Sequence, residues 1–353
     1  MLFLFMGMLF LPNDMMKVET LLTYQSIPEA HDPIIGIVDV VMDKNDNLYI
    51  LDVDSRKIFS WNKKGEFLSS FGRQGNGPGE FAFNPTYRYY YNLTILDDQL
   101  LIWDMNAKKI DFFTFKGDYI KSVPLLTDGT IKYLEANKSS NVVVLKVNYY
   151  EKGTPKNEIH LYNKEMKHVK RILSFKSETL MPRYHNGSLM GFRLQAFKPA
   201  LWVYANPGFD GFIIGDESTR RIDLYDSEGI KKFSVDLQVP SLDIYPDFME
   251  EFKEDIANRR DILEVTYPDK MPYYSMVLPV KEFGYFVANV SEVNNIFRGY
   301  IVSYEGKTIG KFDITCGDLG IIEAVNDHLI VGTFLEDKDQ FEIKEIKFVA
   351  SPP

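Results

Sequence analysis

Short apolar runs separated by turn residues recur along the chain, and three of them end in aspartate: 48–52, 100–104 and 212–216. After each aspartate the same offsets follow, with isoleucine at the sixth position, an aromatic residue at the ninth and glycine at the thirteenth. The three copies are Asp52, Ile58, Trp61 and Gly65; Asp104, Ile110, Phe113 and Gly117; and Asp216, Ile222, Tyr225 and Gly229. Alternating apolar positions predict strands, and glycine supplies the positive φ of a tight hairpin, so each copy predicts antiparallel strands.

Weaker copies of the repeat occupy the rest of the chain. Residues 159–162 keep the aromatic offset with Met166 in the glycine position, and 283–304 and 328–348 make two further hairpin units. The last unit lacks an outer strand, which residues 18–24 would supply. Repeated sheets bury their apolar faces by stacking around an axis, and closure of the ring removes unpaired edges. The pattern predicts an all-β fold: a six-bladed β-propeller, closed by the N-terminal strand joining the last blade, as a single domain over 17–353.

One segment departs from the strand pattern. At about 243–265, apolar residues recur near helical spacing, acidic residues lie at the start and two arginines near the end, as the helix dipole favours. The apolar positions are Met249, Phe252, Ile256 and Leu263. The segment predicts one amphipathic helix inserted between blades, packed on the propeller.

The N-terminal residues 1–16 contain an apolar run that ends at Pro12. It is too short to span a bilayer but has the length of a signal-peptide core. No basic residue precedes it and no small-residue cleavage pattern follows, so it predicts a truncated signal peptide and an exported, periplasmic or cell-envelope protein. Membrane association is expected only through this segment. The alternative is that translation starts at Met15 or Met16, which predicts a cytoplasmic protein.

The glycine-rich segment 71–81, followed by Pro85, resembles an NHL repeat, as does the preceding stretch 39–65. Residues 267–275 are similar to the segment that introduces a blade in exported bacterial propellers of the TolB-like type. The resemblance implies a six-bladed propeller that usually acts as a binding or scaffolding module. Some relatives of this fold are lyases or metal-dependent lactonases, so the resemblance does not imply a reaction.

Charge and cysteine content exclude several classes of function. The net charge of −10 and the scattered lysines and arginines argue against nucleic-acid binding, which needs a basic stripe. Cys316 is the single cysteine, which excludes an internal disulfide and thiol-ligated metal centres.

Motifs for catalysis or metal binding are incomplete. The glycines of 72–79 lack the following helix of a phosphate loop, so a structural connector is favoured. Asp43, Asn45 and Asn47 have calcium-loop spacing but lack the central glycine and the final glutamate, which favours a hairpin. The five histidines show no metal-ligand spacing and are expected on the surface or in loops. Asp39 and Asp318 are acidic residues where innermost strands begin, too few for a carboxylate ring. No catalytic residue, metal ligand or cofactor is predicted.

Tyrosines and cations cluster in the segments that lead into the innermost strands. Tyrosine combines a flat apolar face with a polar tip, which suits the recognition of peptides, glycans and small ligands. The candidate ligand-binding residues are Arg88, Tyr89, Lys132, Tyr133, Tyr204, Tyr273 and Tyr274. The alternative is that these tyrosines pack between blades. We therefore expect a non-catalytic binding or scaffold propeller with a protein, peptide, glycan or small-molecule ligand at the channel mouth; the alternative is a metal-dependent lactonase or lyase with its site in the central channel.

Overall fold

The structure is a computed structural model. It describes residues 15–24, 27, 33–125, 129–137, 142–148, 156–176, 180–185, 188–195, 201–205, 210–216, 219–239, 250, 253–254, 256–257, 262–266, 276–280, 284–291, 296–315, 321–325, 328–335 and 340–350.

The described residues form six antiparallel sheets of four strands and one sheet of three strands. The first half of the chain contains β1 (Met16–Thr23); sheet 1, made of β2 (Ile37–Met42), β3 (Leu48–Asp52), β4 (Lys57–Trp61) and β5 (Phe67–Phe71); the 3₁₀ helix η1 (Pro85–Tyr90); sheet 2, made of β6 (Asn92–Leu96), β7 (Gln99–Asp104), β8 (Lys109–Phe113) and β9 (Tyr119–Pro124); and sheet 3, made of β10 (Thr130–Ala136), β11 (Val142–Asn148), β12 (Lys156–Tyr162) and β13 (His168–Lys176).

The second half contains β14 (Leu180–His185) and β15 (Ser188–Gln195); sheet 4, made of β16 (Leu201–Ala205), β17 (Gly211–Asp216), β18 (Arg221–Asp226) and β19 (Lys231–Asp236); β20 (Ile262–Thr266); sheet 5, made of β21 (Met276–Val280), β22 (Gly284–Ser291), β23 (Ile296–Val302) and β24 (Thr308–Thr315); and β25 (Ile321–Val325), β26 (His328–Leu335) and β27 (Gln340–Ala350), which with β1 make sheet 6. The three-stranded sheet has the order β14-β15-β20.

The six four-stranded sheets surround a common axis, and one edge strand of each of these sheets lines it. Strand β2 contacts both β6 and β25, β10 contacts both β6 and β16, and β21 contacts β25. Sheets 4 and 5 share an apolar cluster that includes Ile213 and Tyr285. The predicted all-β propeller fold is confirmed, with β2, β6, β10, β16, β21 and β25 as the innermost strands.

The N-terminal strand closes sheet 6. Strand β1 pairs antiparallel with β27 as the outermost strand, as predicted for residues 18–24. Beyond β1, the Tyr24 N–H donates to the Ile343 carbonyl at 3.0 Å, and the Tyr24 ring meets Trp61 of sheet 1 edge to face at 6.2 Å. The strand therefore ties the last sheet to the first.

The repeated aspartate joins two backbone segments within its sheet. Asp52 Oδ2 accepts hydrogen bonds from the N–H groups of Ile35 at 2.7 Å and Gly36 at 2.9 Å, and its Oδ1 accepts from Ser55 at 2.9 Å. Asp104 repeats this arrangement with Ala82 at 2.7 Å and Ala107 at 3.1 Å. Both side chains are fully buried. Each carboxylate thus fixes the connector that arrives at its innermost strand to the turn between its second and third strands.

Glycine in the repeat serves the hairpin before the outermost strand. Gly65, Gly117 and Gly229 have φ values of +76°, +90° and +69°. At Gly117 a Cβ atom would also lie 2.6 Å from the ring of Phe71 in the neighbouring sheet. Met166, which stands in the glycine position of sheet 3, adopts φ +59°, so that hairpin keeps the conformation with a residue that disfavours it.

The predicted inserted helix is corrected at its C-terminal end. Ile262–Thr266, inside the predicted 243–265, is strand β20 and pairs in parallel with β15. Its isoleucine, valine and threonine are branched at Cβ and favour an extended backbone, which the spacing of Leu263 concealed. Described residues 250, 253, 254, 256 and 257 have helical backbone, but the described residues of 243–265 contain no helix with two defined ends.

In the part of the chain that the structure describes, no helix is long and apolar enough to cross a membrane.

Replacing Asp104 with alanine is expected to destabilise the fold by about 3 kcal/mol, because two N–H groups lose a buried acceptor. Asp236→Ala, on the exposed side of β19, is the matched control, with an expected change within about 0.5 kcal/mol. Urea unfolding of both variants checks this. Equal losses in the two variants would contradict the role given to the buried aspartate.

Candidate functional site

The strand ends that connectors join lie on the same face of the ring. In an antiparallel sheet of four strands, the start of the first strand, the turn between the second and third strands, and the end of the fourth strand lie together. We call this the connector face. Asp52 and Asp104 lie there, as does η1, which joins β5 to β6 and contacts β10.

One register position recurs near the start of each innermost strand. Asp39 pairs with Leu51, and Leu51 with Ile58 of the repeat. Asn92 pairs with Trp103, which pairs with Ile110. In each remaining sheet, the equivalent innermost residue is found by following the strand pairing from the third strand through the second. The third-strand residues used are Ile159, Ile222, Gly299 and Ile343. We call Asp39, Asn92, Tyr133, Trp202, Met276 and Ile321 the channel-mouth ring.

Asp39 is the charged member of the ring and reaches the next sheet. Its Oδ1 accepts from the N–H of Val40 at 2.9 Å, and its Oδ2 accepts from the N–H of Leu93 on β6 at 2.7 Å. The Asn92 side chain also bonds to this carboxylate. Burial raises the pKa of Asp39 to about 7, and the three hydrogen bonds only partly oppose this. The carboxyl is enclosed by protein although the residue keeps some exposed surface.

Asn92 carries an acceptor without a partner. Its Oδ1 is buried and receives no hydrogen bond among the described residues, while its amide bonds to Asp39. A buried carbonyl oxygen without a donor is costly, unless water or a ligand supplies one. Asp39 and Asn92 thus place acceptor oxygens side by side at the channel mouth.

A second side chain binds across innermost strands in the same direction. Thr94 Oγ1 on β6 accepts from the N–H of Ala136 on β10 at 3.2 Å. As in the bond from Leu93 to Asp39, a backbone N–H of an innermost strand that faces the channel donates to a side chain of the preceding sheet. Polar side chains on the channel wall therefore hold sheets 1, 2 and 3 together.

Three of the predicted binding residues lie on innermost strands and are half-buried: Lys132 and Tyr133 on β10, and Tyr204 on β16. Tyr133 packs against the apolar clusters between sheets 3 and 4 and between sheets 4 and 5. Tyr204 packs between sheets 4 and 5 and between sheets 5 and 6. Their rings therefore pack between sheets, which is the alternative that the sequence left open. A binding role for them stays a prediction.

The other four predicted residues are placed less fully. Arg88 and Tyr89 belong to η1 on the connector face, and the structure does not describe their side chains. Tyr273 and Tyr274 lie outside the described residues, as do Asp318 and Cys316. Nearby Tyr91 is a packing residue: it is buried, its ring lies 4.6 Å from Phe83, and its hydroxyl accepts from the Asn84 N–H at 2.7 Å.

The sequence did not predict Asn92 or Thr94 as site residues. Their one signal is that the polar residues of Asn92-Leu93-Thr94 alternate at the start of an innermost strand. Only the strand register shows that Asn92 takes the position of Asp39.

The glycine-rich connector is closed by its own carboxylate. Glu80 Oε2 accepts from the Gly77 N–H at 2.9 Å, and Arg73 Nε donates to Glu80 Oε1 at 2.9 Å. The Glu80 carboxylate thus occupies the Gly77 N–H group that a phosphate would need, which supports the interpretation of this segment as a structural connector. Likewise, Asp43 Oδ1 accepts from the N–H groups of Asn45 at 2.8 Å and Asn47 at 2.9 Å, as an Asx hairpin does.

One expectation about histidines is wrong. His160 is buried, and its Nδ1 lies 2.9 Å from His168 Nε2, because the β12–β13 hairpin brings the two strands together. Its Nε2 lies 3.3 Å from Glu158, which also pairs with Arg171 at 2.9 Å. Even so, the described residues contain no group of three histidine, cysteine, aspartate or glutamate residues able to hold a metal ion.

Comparisons with known proteins agree with the architecture. Residues 29–120, from before β2 into β9, match the model of DUF5128, a family described as a 6-bladed beta-propeller. A candidate exported protein from Bacteroides fragilis is similar in structure, with a TM-score of 0.56, 12% identity and 96% of each chain covered. A member of the DUF4221 family from Bacteroides vulgatus has a TM-score of 0.57 and 9% identity, over 96% of this chain and 100% of that one.

At these low sequence identities, the structural similarities show a shared propeller fold and nothing about activity. A virginiamycin B lyase from Staphylococcus aureus matches at a TM-score of 0.44, with 12% identity over 94% of this chain and 88% of its own, and that similarity carries no argument. No curated protein matches the sequence.

The titration of Asp39 is expected to appear in the pH dependence of stability. Its pKa in the folded protein, about 7, lies above its ordinary value of 3.8, so the protonated carboxyl favours folding. The stabilisation is complete below about pH 4 and is lost as the pH rises through about 7. The Asp39→Asn variant has no carboxyl at this position and therefore lacks this pH-dependent stabilisation. Wild type should therefore lose stability relative to Asp39→Asn between pH 5 and 8, measured by urea unfolding at about 0.5 unit steps; parallel profiles would contradict it.

Proposed function

We propose that this protein is a non-catalytic binding propeller that recognises a small molecule, glycan or peptide at the channel mouth. The observation that carries the proposal is the channel-mouth ring, in which Asp39 and Asn92 on sheets 1 and 2 hold the same register position as Tyr133 on sheet 3. A few polar groups set in apolar walls are the usual composition of a small-ligand site.

We propose further that the six four-stranded sheets are the blades of one six-bladed domain over 17–353. The topology of the sheets and the description of the family that matches residues 29–120 support this number. The NHL or TolB-like type is supported by the glycine-rich connector, whose hydrogen bonds close it as a compact link between sheets 1 and 2.

An exported, periplasmic or cell-envelope location is our proposal for the whole protein. The apolar segment 1–16 supports it, and it lies almost wholly outside the described residues. The similar Bacteroides fragilis protein is described as a candidate exported protein, and that description belongs to it alone.

A metal-dependent lactonase or lyase is the second candidate function. Asp39 favours it, because a carboxyl that titrates near neutral pH inside a channel is suited to proton transfer. Against it, no described set of three residues could hold a metal. Binding therefore remains the function that the geometry supports best.

A thermal-shift screen of glycans, short peptides and small metabolites tests the proposal. A ligand at roughly 100 times its Kd adds about 2.7 kcal/mol of stability, which raises the Tm measurably. The shift should vanish in Asn92→Leu, which has similar volume but no polar atoms. It should persist in Asp98→Asn, a control on an exposed hairpin of the same sheet.

Turnover and metal analysis separate the two candidate functions. We expect no hydrolysis or elimination on panels of lactones, esters and glycosides, and the same Tm with and without a chelator. Turnover that depends on a divalent cation, or a screen in which no compound shifts the Tm, would overturn the binding proposal.

A further inference from the structure

One register position on the third strand, the residue after the repeat isoleucine, differs in chemistry between neighbouring sheets. In sheets 2 and 4 it is an aspartate that binds the outermost strand: Asp111 accepts a hydrogen bond from the Ser122 hydroxyl, and Asp223 accepts one from Ser234. In sheet 3 the same position is His160. An imidazole ordinarily gains its charge near about pH 6.5, whereas a carboxylate is neutralised only near about pH 4. Of these three links, the one in sheet 3 is therefore the one that mild acid can change.

His160 stands between a carboxylate and a second imidazole. Its Nε2 lies 3.3 Å from Glu158 Oε2, and its Nδ1 lies 2.9 Å from Nε2 of His168 on β13. Glu158 and His160 are buried and His168 is exposed, so the chain of contacts runs from the interior of the sheet to solvent. We call His160 and His168 the histidine pair.

The number of protons on the histidine pair decides whether its contact exists. A hydrogen bond between the rings needs an N–H at one of the two facing nitrogens and a lone pair at the other. Two neutral imidazoles meet this requirement, and so does a pair in which one ring is protonated. When both rings are protonated, an N–H faces an N–H and two positive charges repel each other, so the contact is lost.

We infer that the β12–β13 hairpin is an acid-sensitive switch. It is closed while the histidine pair carries at most one positive charge, and its tip, residues 163–168, opens away from the propeller when the second proton binds. Opening exposes apolar surface between sheets 2 and 3.

The backbone of this tip is less regular than that of the equivalent hairpins. Met166 adopts φ +59°, a conformation that a side chain disfavours, where sheets 2 and 4 have glycine. The pairing of β12 with β13 has two register irregularities, one on each side of the position of His160, whereas the equivalent pairings in sheets 2 and 4 have one each. The closed tip therefore depends more on side-chain contacts than its counterparts do.

Met166 and Tyr162 connect the switch to the core. Both are buried in the apolar cluster between sheets 2 and 3. The ring of His168 meets the ring of Tyr162 nearly edge to face at 5.4 Å. Movement of His168 away from His160 removes this contact from Tyr162, and opening of the tip withdraws Met166 from the cluster.

Charged groups beside the histidine pair favour one proton and oppose two. Glu158 stabilises a proton on His160, although it also pairs with Arg171 at 2.9 Å. Arg171 is the register partner of His160 on β13. On the side of sheet 2, Lys121 holds its Nζ 4.5 Å from the centre of the Phe112 ring, which belongs to the cluster shared with sheet 3. A second proton on the pair therefore lies near cations as well as near the first proton.

The other charged residues of the surrounding elements do not contact the two facing nitrogens in the described part of the chain. On β11, Lys146 is the register partner of Glu158. The hairpin of sheet 4 packs on the other face of β13, against Ile172. The remaining charged residues are Lys164, which pairs with Asp97 of sheet 2 at 3.9 Å, Glu165, Lys167 and Lys170 of the β12–β13 hairpin, and Asp226, which pairs with Lys232 at 2.8 Å, and Glu228 of sheet 4.

Amide hydrogen exchange of the full chain at about pH 7.5 and about pH 5.5 tests the switch, with rates corrected for the effect of pH on exchange itself. The reporter is the N–H of Asn163, which donates to the Lys167 carbonyl at 3.0 Å. The N–H groups of Thr114 and Asp226 make the same turn bond in sheets 2 and 4 and are internal controls. Protection of Asn163 should fall about fivefold or more at the lower pH, the effect of losing about one hydrogen bond, while the controls keep theirs.

Two variants tie the change to the histidine pair. His168→Gln keeps a hydrogen-bonding side chain but binds no proton in this range, so it should remove the pH dependence at Asn163. Lys167→Gln, at the neighbouring exposed residue, also removes a polar group of the tip and should retain that dependence.

Nitrogen NMR of the imidazoles in wild type is the second measurement. The two rings should titrate as a coupled pair in two steps, and His160 should titrate in one step in the His168→Gln variant. Unchanged protection of Asn163 at the lower pH, equal losses at Thr114 and Asp226, a His168→Gln variant that retains the pH dependence, or independent one-step titration of the two rings would each overturn the switch.

Discussion

A buried carboxylate that accepts backbone N–H groups from two segments is the interaction on which the arrangement of sheets 1 and 2 depends. Asp52 and Asp104 occupy the same repeat position and have the same kinds of partners. Each joins the connector that arrives at the innermost strand to the turn after the second strand. Without this link the start of the innermost strand would be held on one side only, because its other edge faces the channel.

The interaction is stable only because its hydrogen bonds offset a desolvation cost. Burial and, to a smaller extent, the charge of Asp111 raise the pKa of Asp104, and the N–H groups of Ala107 and Ala82, with Lys109, oppose the rise. Asp39 shows the same competition one strand further in: hydrogen bonds from Leu93, Val40 and Asn92 oppose the effect of burial, and its pKa lies near neutrality. In sheets 1 and 2 the fold therefore sets the start of the innermost strand with buried carboxylates, and the carboxyl of Asp39 titrates at the channel mouth.

The sequence predicted those parts of the fold that depend on local spacing. The offsets from Asp52 to Gly65, repeated at Asp104 and Asp216, were sufficient for the hairpins, and the unpaired outer edge of the last unit pointed to β1. Strand β20 was missed because its residues also fit a helical period, and its partner β15 lies far away along the chain. The contact between His160 and His168 follows from a hairpin register with two irregularities, which spacing does not show.

The candidate site depends still more on register. The sequence singled out Asp39 because it is acidic at the start of a strand. Its partner Asn92 was missed because a 3₁₀ helix lies between the preceding connector and β6, so counting residues from the connector does not show where the strand begins. Tyr133 and Tyr204 were chosen for their chemistry, and their packing between sheets is a tertiary property. A channel-mouth ring becomes visible only when the innermost strands are aligned through their neighbours.

Amide hydrogen exchange at Gly36 and Ala82 tests whether the buried carboxylates hold the connectors in place. Both residues lie in connectors outside the regular strands, where amides normally exchange fast, but their N–H groups point at Asp52 and Asp104. The account predicts protection comparable to that of strand amides such as Leu51 and Ile102, because opening requires breaking the buried carboxylate link. Exchange as fast as in an exposed loop, with the strands still protected, would contradict it.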